Sequence, residues 1–366
     1  MRTIRRLIFR EVVLSVLFVA LGFLSLFFFF DFVEELPDVG KGTTPYHLTQ
    51  ALVYVSLMIP SHLYELLPIA VLIGTIFVMA RLAQSSEYTI LRTSGLGPWR
   101  ALRTLMVLGL LFTLLTFACG DYLAPVADRA GRLLKARFEG GISVGQTGAW
   151  LKERQRYNSY SVNVGVMDPD GNMRAIRIFE TDSRGFLVSV TQAQKGRFVE
   201  GGWLLEGAER TEFPEANSTQ AKVERTLNPR LHWPTEISQE MVSVALLKPD
   251  RMSTLALFEY IRHLEANSQT SQRYEIEFWR KVFYPLSCLV MVVLALPFAY
   301  LHFRSGGITT YVFGGVLVGI SFFMLNNVFG YIGNLRSWVP WITAAAPGLI
   351  YTGFSLGAFG WLVLRR

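Results

Sequence analysis

Cysteine is almost absent from this 366-residue sequence: Cys119 and Cys288 are the only two, too few for a disulfide scaffold and best read as packing residues. Charge is scarce too. Asp, Glu, Lys and Arg make up 17% of the chain, against the about 25% of ordinary soluble domains. The five histidines, His47, His62, His232, His263 and His302, are scattered without metal-ligand spacing. No nucleotide motif is complete. Gly40-Lys41-Gly42-Thr43-Thr44 looks like half a P-loop, but position 35 holds Glu where the upstream glycine belongs. H-E-x-x-H, C-x-x-C and G-x-S-x-G are all missing. Two close carboxylate pairs, Asp168 with Asp170 and Glu180 with Asp182, sit at turns or strand ends, where a solvated turn explains them. These absences turn the reading away from an enzyme, and no catalytic residue, metal or cofactor is expected within the chain.

What is abundant is apolar: 51% of residues, with 27 Phe, gathered in blocks at 7–30, 53–80, 102–119, 282–301, 308–332 and 341–364. About 20 apolar helical residues cross a 30 Å hydrocarbon core. The blocks therefore predict six transmembrane helices, three on each side of a polar insert. The first is too long for a signal peptide. An acidic run (Asp31, Glu34, Glu35, Asp38) follows it where a cleavage site would need small residues.

Charge sorts the loops. Arg2, Arg5, Arg6, Arg10, Arg81, Arg92, Arg100, Arg103, Arg304, Arg365 and Arg366 fall on one side, and only Lys41 and Arg336 in the short loops on the other. The positive-inside rule puts both termini in the cytoplasm and the insert outside. Residues 121–273 carry 20 basic and 19 acidic residues, a net +1. The chain's +7 is thus topological and is no footprint of a nucleic acid.

The insert reads as all-β. Strand alternation runs through 160–167 and 174–179, with Asp168-Pro169-Asp170-Gly171 as a turn. Further strands are expected at 186–190, 196–199 and 203–205, with Gly201-Gly202 as a hairpin turn. This is a β-sandwich or jelly-roll-like pattern. Val162, Val164, Val166, Ile176 and Ile178 share one face, either as plain core or as an apolar path for acyl chains. Helices should lead in over 121–138 and back over 255–265, the second with Leu255, Phe258, Ile261 and Leu264 on one face. The organisation is then 1–120 with three spans, 121–273 as the β-domain with flanking helices, and 274–366 with three spans.

A few polar signals remain. Between the second and third blocks, about 84–95, lies a short helix with Ser86 as its N-cap, Glu87 in its first turn and Gly95 closing it. It is either a capped surface helix or one that docks into a partner's groove. Glu65 lies within an apolar block, either functional or at a wet interface. Arg280 and Lys281, beside Trp279, read as snorkelling residues at the membrane surface. Arg129, Arg132 and Lys135 recur every three residues, on one helix face just beyond the third block. They form either a solvated face or a clamp for anionic head groups.

Order and spacing now show a resemblance across nearly the whole chain. Ala80-Arg81-Leu82 with Ser86-Glu87 and Leu91-Arg92-Thr93-Ser94-Gly95 looks like the coupling segment of a known family. Gly120-Asp121-Tyr122-Leu123-Ala124-Pro125 is similar to the exit of that family's third span. Arg273-Tyr274, Trp279-Arg280-Lys281 and Pro285-Leu286-Ser287 are similar to the start of its fourth. Together they resemble the LptF/LptG permeases of the lipopolysaccharide export ABC transporter, the LptG branch more than the LptF branch.

The resemblance implies a polytopic α-helical inner-membrane protein with six transmembrane helices and an inserted periplasmic jelly-roll-like domain. It implies an LptF-like permease partner and a dimer of the LptB ATPase, which would bind ATP and Mg²⁺. It also implies the single-span LptC and the LptA bridge, lipopolysaccharide as substrate, and no nucleic acid. Ser86, Glu87, Leu91, Arg92 and Gly95 match the ATPase-coupling segment. Arg132 and Lys135 match bases that meet lipid phosphates, with Arg129 on the same face and Lys41 the base nearest the first span. Phe27, Phe30, Phe322, Leu325 and Phe329 fall on the cavity-lining first and fifth spans. Asp31 stands where the family often has a phosphate-binding Lys, so Lys41 or a bridging divalent cation would have to serve. The alternative is the LptF paralogue or another lipid-export permease. More distant is a lipid-modifying membrane enzyme, which would need His, Ser or paired carboxylates converging near one membrane surface.

Overall fold

The computed structural model describes residues 2–40, 46–139, 148–155, 158–168, 170–214, 223–239, 241–242, 249–267, 269–300 and 308–361. Among them six helices are long and apolar enough to cross a membrane: Arg5–Asp38, Leu48–Gln84, Pro98–Lys135, Gln272–Tyr300, Ile308–Leu335 and Pro340–Phe359. These are the first to sixth spans. The chain divides into two compact units, one of Met1–Glu34, Val55–Asp128 and Gln272–Arg366, the other of Glu35–Tyr54 and Arg129–Ser271.

The first unit is helical. Its core gathers Ile8, Val12, Val16 and Ala20 of the first span with Ala70–Met79 positions of the second, Leu105, Leu108 and Phe112 of the third, and Met291 and Val292 of the fourth. The four residues of the first span recur every fourth position, which is one helix face. Gly74 makes their approach possible, since a Cβ there would lie 2.8 Å from the backbone nitrogen of Val16. The third span passes through a π-helical stretch at Cys119–Leu123 before continuing as Ala124–Glu139. The fourth is interrupted by 3₁₀ turns at Tyr284–Leu286 and Leu296–Tyr300, each containing a proline that cannot donate to the helix ladder.

The second unit carries one six-stranded antiparallel sheet in chain order. Its strands are β1 (Ala149–Arg154), β2 (Ser159–Met167), β3 (Met173–Thr181), β4 (Leu187–Val199), β5 (Gly202–Glu212) and β6 (Glu224–Pro234). Val162 pairs with Ile178 and Val164 with Ile176. All four are buried, together with Leu151, Trp203 and Leu205. Residues after β6 reach back to β1: the Glu236 amide donates to Glu153 Oε1 at 3.0 Å, and the Thr235 hydroxyl donates to Glu153 Oε2. Trp203 Nε1 donates to the Ile237 carbonyl at 2.8 Å, closing one face of the sheet.

The sequence pattern differs from this in three places. The runs 186–190 and 196–199 belong to one strand, β4. The polar stretch between them still alternates, with Thr191 and Ala193 turned inward. Strands β1 and β6 carry too little apolar alternation to announce themselves. The return helix, Thr254–Ala266, buries Leu257, Tyr260, Ile261 and Leu264 and leaves Leu255 and Phe258 exposed, so its inner face is rotated from the expected one. The Gly201-Gly202 turn is as expected: Gly201 has φ +78°, and a Cβ on Gly202 would lie 2.2 Å from the Trp233 carbonyl oxygen.

Glu180 is not a solvated turn residue. Its carboxylate accepts from Ser189 Oγ at 2.6 Å, Asn158 Nδ2 at 2.6 Å and Tyr160 Oη at 3.0 Å, with Arg210 Nη2 at 3.1 Å. Burial pushes its pKa up, but these donors and the Arg210 charge outweigh burial and hold it below its ordinary 4.5. A depressed folded pKa means stability that is present above pH 4.5 and is lost as pH falls through the folded value. Glu180→Gln should therefore cost the sheet about 1–3 kcal/mol at neutral pH and flatten its loss of stability in acid. Native-state hydrogen exchange of β3–β5 amides at pH 7 and pH 4 measures both; equal protection in the two proteins at pH 7 would refute the role.

Candidate functional site

The helix Glu87–Thr93 joins the second and third spans. Ser86 caps it through its backbone rather than its hydroxyl. The Ser86 carbonyl accepts from Thr89 N at 3.1 Å and Ile90 N at 3.3 Å, while the residue sits at φ 59° with no side-chain cap bond. Gly95 closes the helix as expected: it takes φ +100°, and Leu96 N donates to Leu91 O and Gly95 N to Arg92 O. The helix is seated by Tyr88, which is buried with its ring 5.2 Å from that of Tyr300. Burial raises the Tyr88 phenol's pKa, so it stays neutral. Leu91 and Leu96 pack into the same core, and the Arg92 guanidinium lies 5.5 Å over the Tyr300 ring. Glu87 and Ile90 point outward, and so does Trp99 at the start of the third span. An anion beside an exposed aliphatic residue on a firmly seated helix is a surface that can be grasped.

The first and fifth spans are the bare ones. Only 17% of their most apolar windows is buried, against 83% in the second span. Phe18, Leu21, Leu26, Phe29 and Phe30 are exposed on the first, and Phe323, Met324, Val328 and Tyr331 on the fifth. Of the expected lining residues, Phe30 lies on the bare face. Phe27 is half-buried with its ring 5.0 Å from His62, and Phe329 is half-buried against Trp338. Leu325 packs partly against the core. Phe322 is a correction. It is 1% exposed, with the Tyr351 ring 5.0 Å away and the Tyr284 ring 6.2 Å away, because its helix turns that side to the fourth and sixth spans. Phe323 and Met324 are its exposed neighbours, which position along a uniformly apolar helix could not single out.

The acidic run is largely paired. Asp31 Oδ2 lies 2.6 Å from His62 Nε2. Glu35 is buried and accepts from Tyr46 Oη at 3.1 Å and Lys135 Nζ at 3.0 Å. Burial, then the Glu35 charge, raises the Tyr46 phenol's pKa and keeps it a donor. Asp38 accepts from Lys135 at 3.2 Å. No group of three His, Cys, Asp or Glu among the described residues is arranged to hold a metal ion. Arg132 is half-buried and Arg129 exposed, and neither forms an ion pair among the described residues. Lys41 lies outside the described residues.

The Arg280 and Lys281 signal resolves into packing. Lys281 does not snorkel: it is buried, donates to the Gly120 carbonyl at 3.0 Å and lies over the Tyr64 ring. Arg280 pairs with Glu277 at 2.7 Å and reaches Asn327 Oδ1 at 3.2 Å. The Glu65 carbonyl accepts from Tyr284 Oη at 2.5 Å. Cys119 and Cys288 are both buried packing residues.

A family model described as the lipopolysaccharide export system permease LptF/LptG matches residues 6–365. The lipopolysaccharide export system permease protein LptG of Escherichia coli strain K12 is 27% identical over 339 residues, spanning 92% of this chain and 90% of that protein. The LptG of Haemophilus influenzae strain Rd is 27% identical over 341 residues, with the same coverage of both.

Proposed function

This chain belongs to the LptF/LptG family of lipopolysaccharide export permeases, and from that premise we propose how its parts share the work. It is a membrane permease subunit of lipopolysaccharide export, and the observation that carries the division of labour is the bare apolar face of the first and fifth spans. In a bilayer such a face either meets lipid tails or packs on another subunit. A second LptF-like permease facing it would enclose a cavity with apolar walls, wide enough for the several acyl chains of lipopolysaccharide. The exposed Glu87 and Ile90 are the contact for a cytoplasmic ATPase dimer of the LptB kind, which binds ATP and Mg²⁺ and drives closure. The arginine-rich ends of the spans face the cytoplasm, the sheet domain faces the periplasm, and the lipid passes on to proteins of the LptC and LptA kind. Arg132 and Arg129, with Lys41, meet the lipid's phosphates.

The test is reconstitution. Proteoliposomes holding this chain, the second permease and the ATPase should release lipopolysaccharide to a soluble acceptor only with ATP. Omitting this chain should abolish release. ATP-dependent release without it, or release of ordinary phospholipid at the same rate, would refute the reading.

A further inference from the structure

Lys135 stands where a base for lipid phosphates is expected, yet its ammonium is already committed. It lies 2.9 Å from a Glu35 oxygen and 3.2 Å from Asp38, and 5.2 Å from the centre of the Tyr54 ring. The Glu35 side chain is 8% exposed and that of Lys135 22%. Two carboxylates therefore already hold this ammonium. To take a phosphate, Lys135 would break two charge-assisted bonds and leave Glu35 buried with only the Tyr46 phenol, which is the costly half of any buried pair.

The same atoms join three pieces of chain. Glu35 and Asp38 close the first span, Tyr46 and Tyr54 lead into and begin the second, and Lys135 belongs to the helix that continues the third. The rings of Tyr46 and Phe138 pack 5.4 Å apart beside them. The first span needs a tie here. From residue 21 to residue 34 none of its residues is fully buried, though Phe27 and Asp31 touch His62, and Glu35 is the next buried position. We propose that Lys135 is a positioning residue that clasps the end of the first span through Glu35 and Asp38 and does not itself contact the lipid. The inference rests on the head-group reading above, and it leaves the phosphate contacts to Arg132 and Arg129.

The assembled transporter in nanodiscs tests it, with lipopolysaccharide affinity and ATP-driven release as separate readouts. Lys135→Glu, which puts three carboxylates together, should lower release at least about tenfold, the equivalent of a single lost interaction of about 1.4 kcal/mol. Exchanging the charges, Lys135→Glu with Glu35→Lys, should recover most of the release, because a clasp needs opposite charges and not a particular order of them. Glu35→Gln with Asp38→Asn removes both carboxylates without reversing any charge; release should fall although Lys135 keeps its own charge. If the exchange assembles but stays as impaired as Lys135→Glu, or the neutral pair releases lipopolysaccharide at the wild-type rate, the clasp is refuted. If the exchange fails to assemble, the neutral pair decides alone. Arg132→Gln separates the two readings: unchanged lipid affinity there removes the head-group assignment, while the charge exchange still judges the clasp.

Discussion

Glu87→Ala is expected to leave the chain folded and able to bind lipopolysaccharide while lowering ATP-driven release by about thirtyfold or more. Glu87 contributes nothing to the seat of its helix. That seat is Tyr88 against Tyr300, with Leu91 and Leu96 in the core and the closing turn at Gly95. The Glu87 carboxylate is exposed in the first helical turn, where the dipole favours an anion and a partner's base can reach it. Truncating one partner of a charge pair desolvated at an interface costs about 2–5 kcal/mol, roughly thirtyfold to several thousandfold in affinity. Tyr88→Ala gives the contrasting result. Removing a buried aromatic costs about 3–5 kcal/mol of local packing, so the helix itself should loosen. The measurements are pull-down of the ATPase, release from proteoliposomes and limited proteolysis of the segment. Wild-type pull-down and release by Glu87→Ala would show that the exposed face is only a solvated helix surface.

Reversing Arg129 and Arg132 together should all but abolish lipopolysaccharide binding. Each base near an anionic surface contributes about 1 kcal/mol. Replacing two bases by carboxylates removes that attraction and adds a like repulsion, about 4 kcal/mol in all and close to a thousandfold in Kd. These two are better placed for phosphate than Lys135, which is committed to Glu35 and Asp38. The defect should shrink as salt rises from 0.05 to about 0.5 M, because exposed charges are screened within a few ångströms at high ionic strength. A Kd for Arg129→Glu with Arg132→Glu within about threefold of wild type at low salt would return both residues to a solvated helix face.

The transmembrane layout was legible because a bilayer selects on composition and length alone: about 20 apolar residues suffice, whatever they touch. The all-β insert was legible where one face is buried, as in β2 and β3, since alternation then appears directly in the chain. It faded in β6, an edge strand mostly exposed along its length. The helix between the second and third spans was readable from Glu87 and Gly95, although the cap at Ser86 proved to be backbone and not hydroxyl.

What sequence spacing could not carry is pairing at a distance. Lys135 meets Glu35 across 100 positions, Lys281 meets the Gly120 carbonyl across 161, and Ser61 meets Asp128 across 67. A base three residues from another base reads as one arm of a clamp until the fold supplies an acid from elsewhere. Phe322 and Phe323 are the same residue type on the same apolar helix, and only the neighbouring spans decide which is core and which is bare. By itself the sequence determined which segments leave water and which alternate into a sheet, because those depend on transfer free energies that each residue carries with it. Which base meets which acid was decided by tertiary structure alone, because a charge's partner is fixed by where the helices bring it and not by its place in the chain.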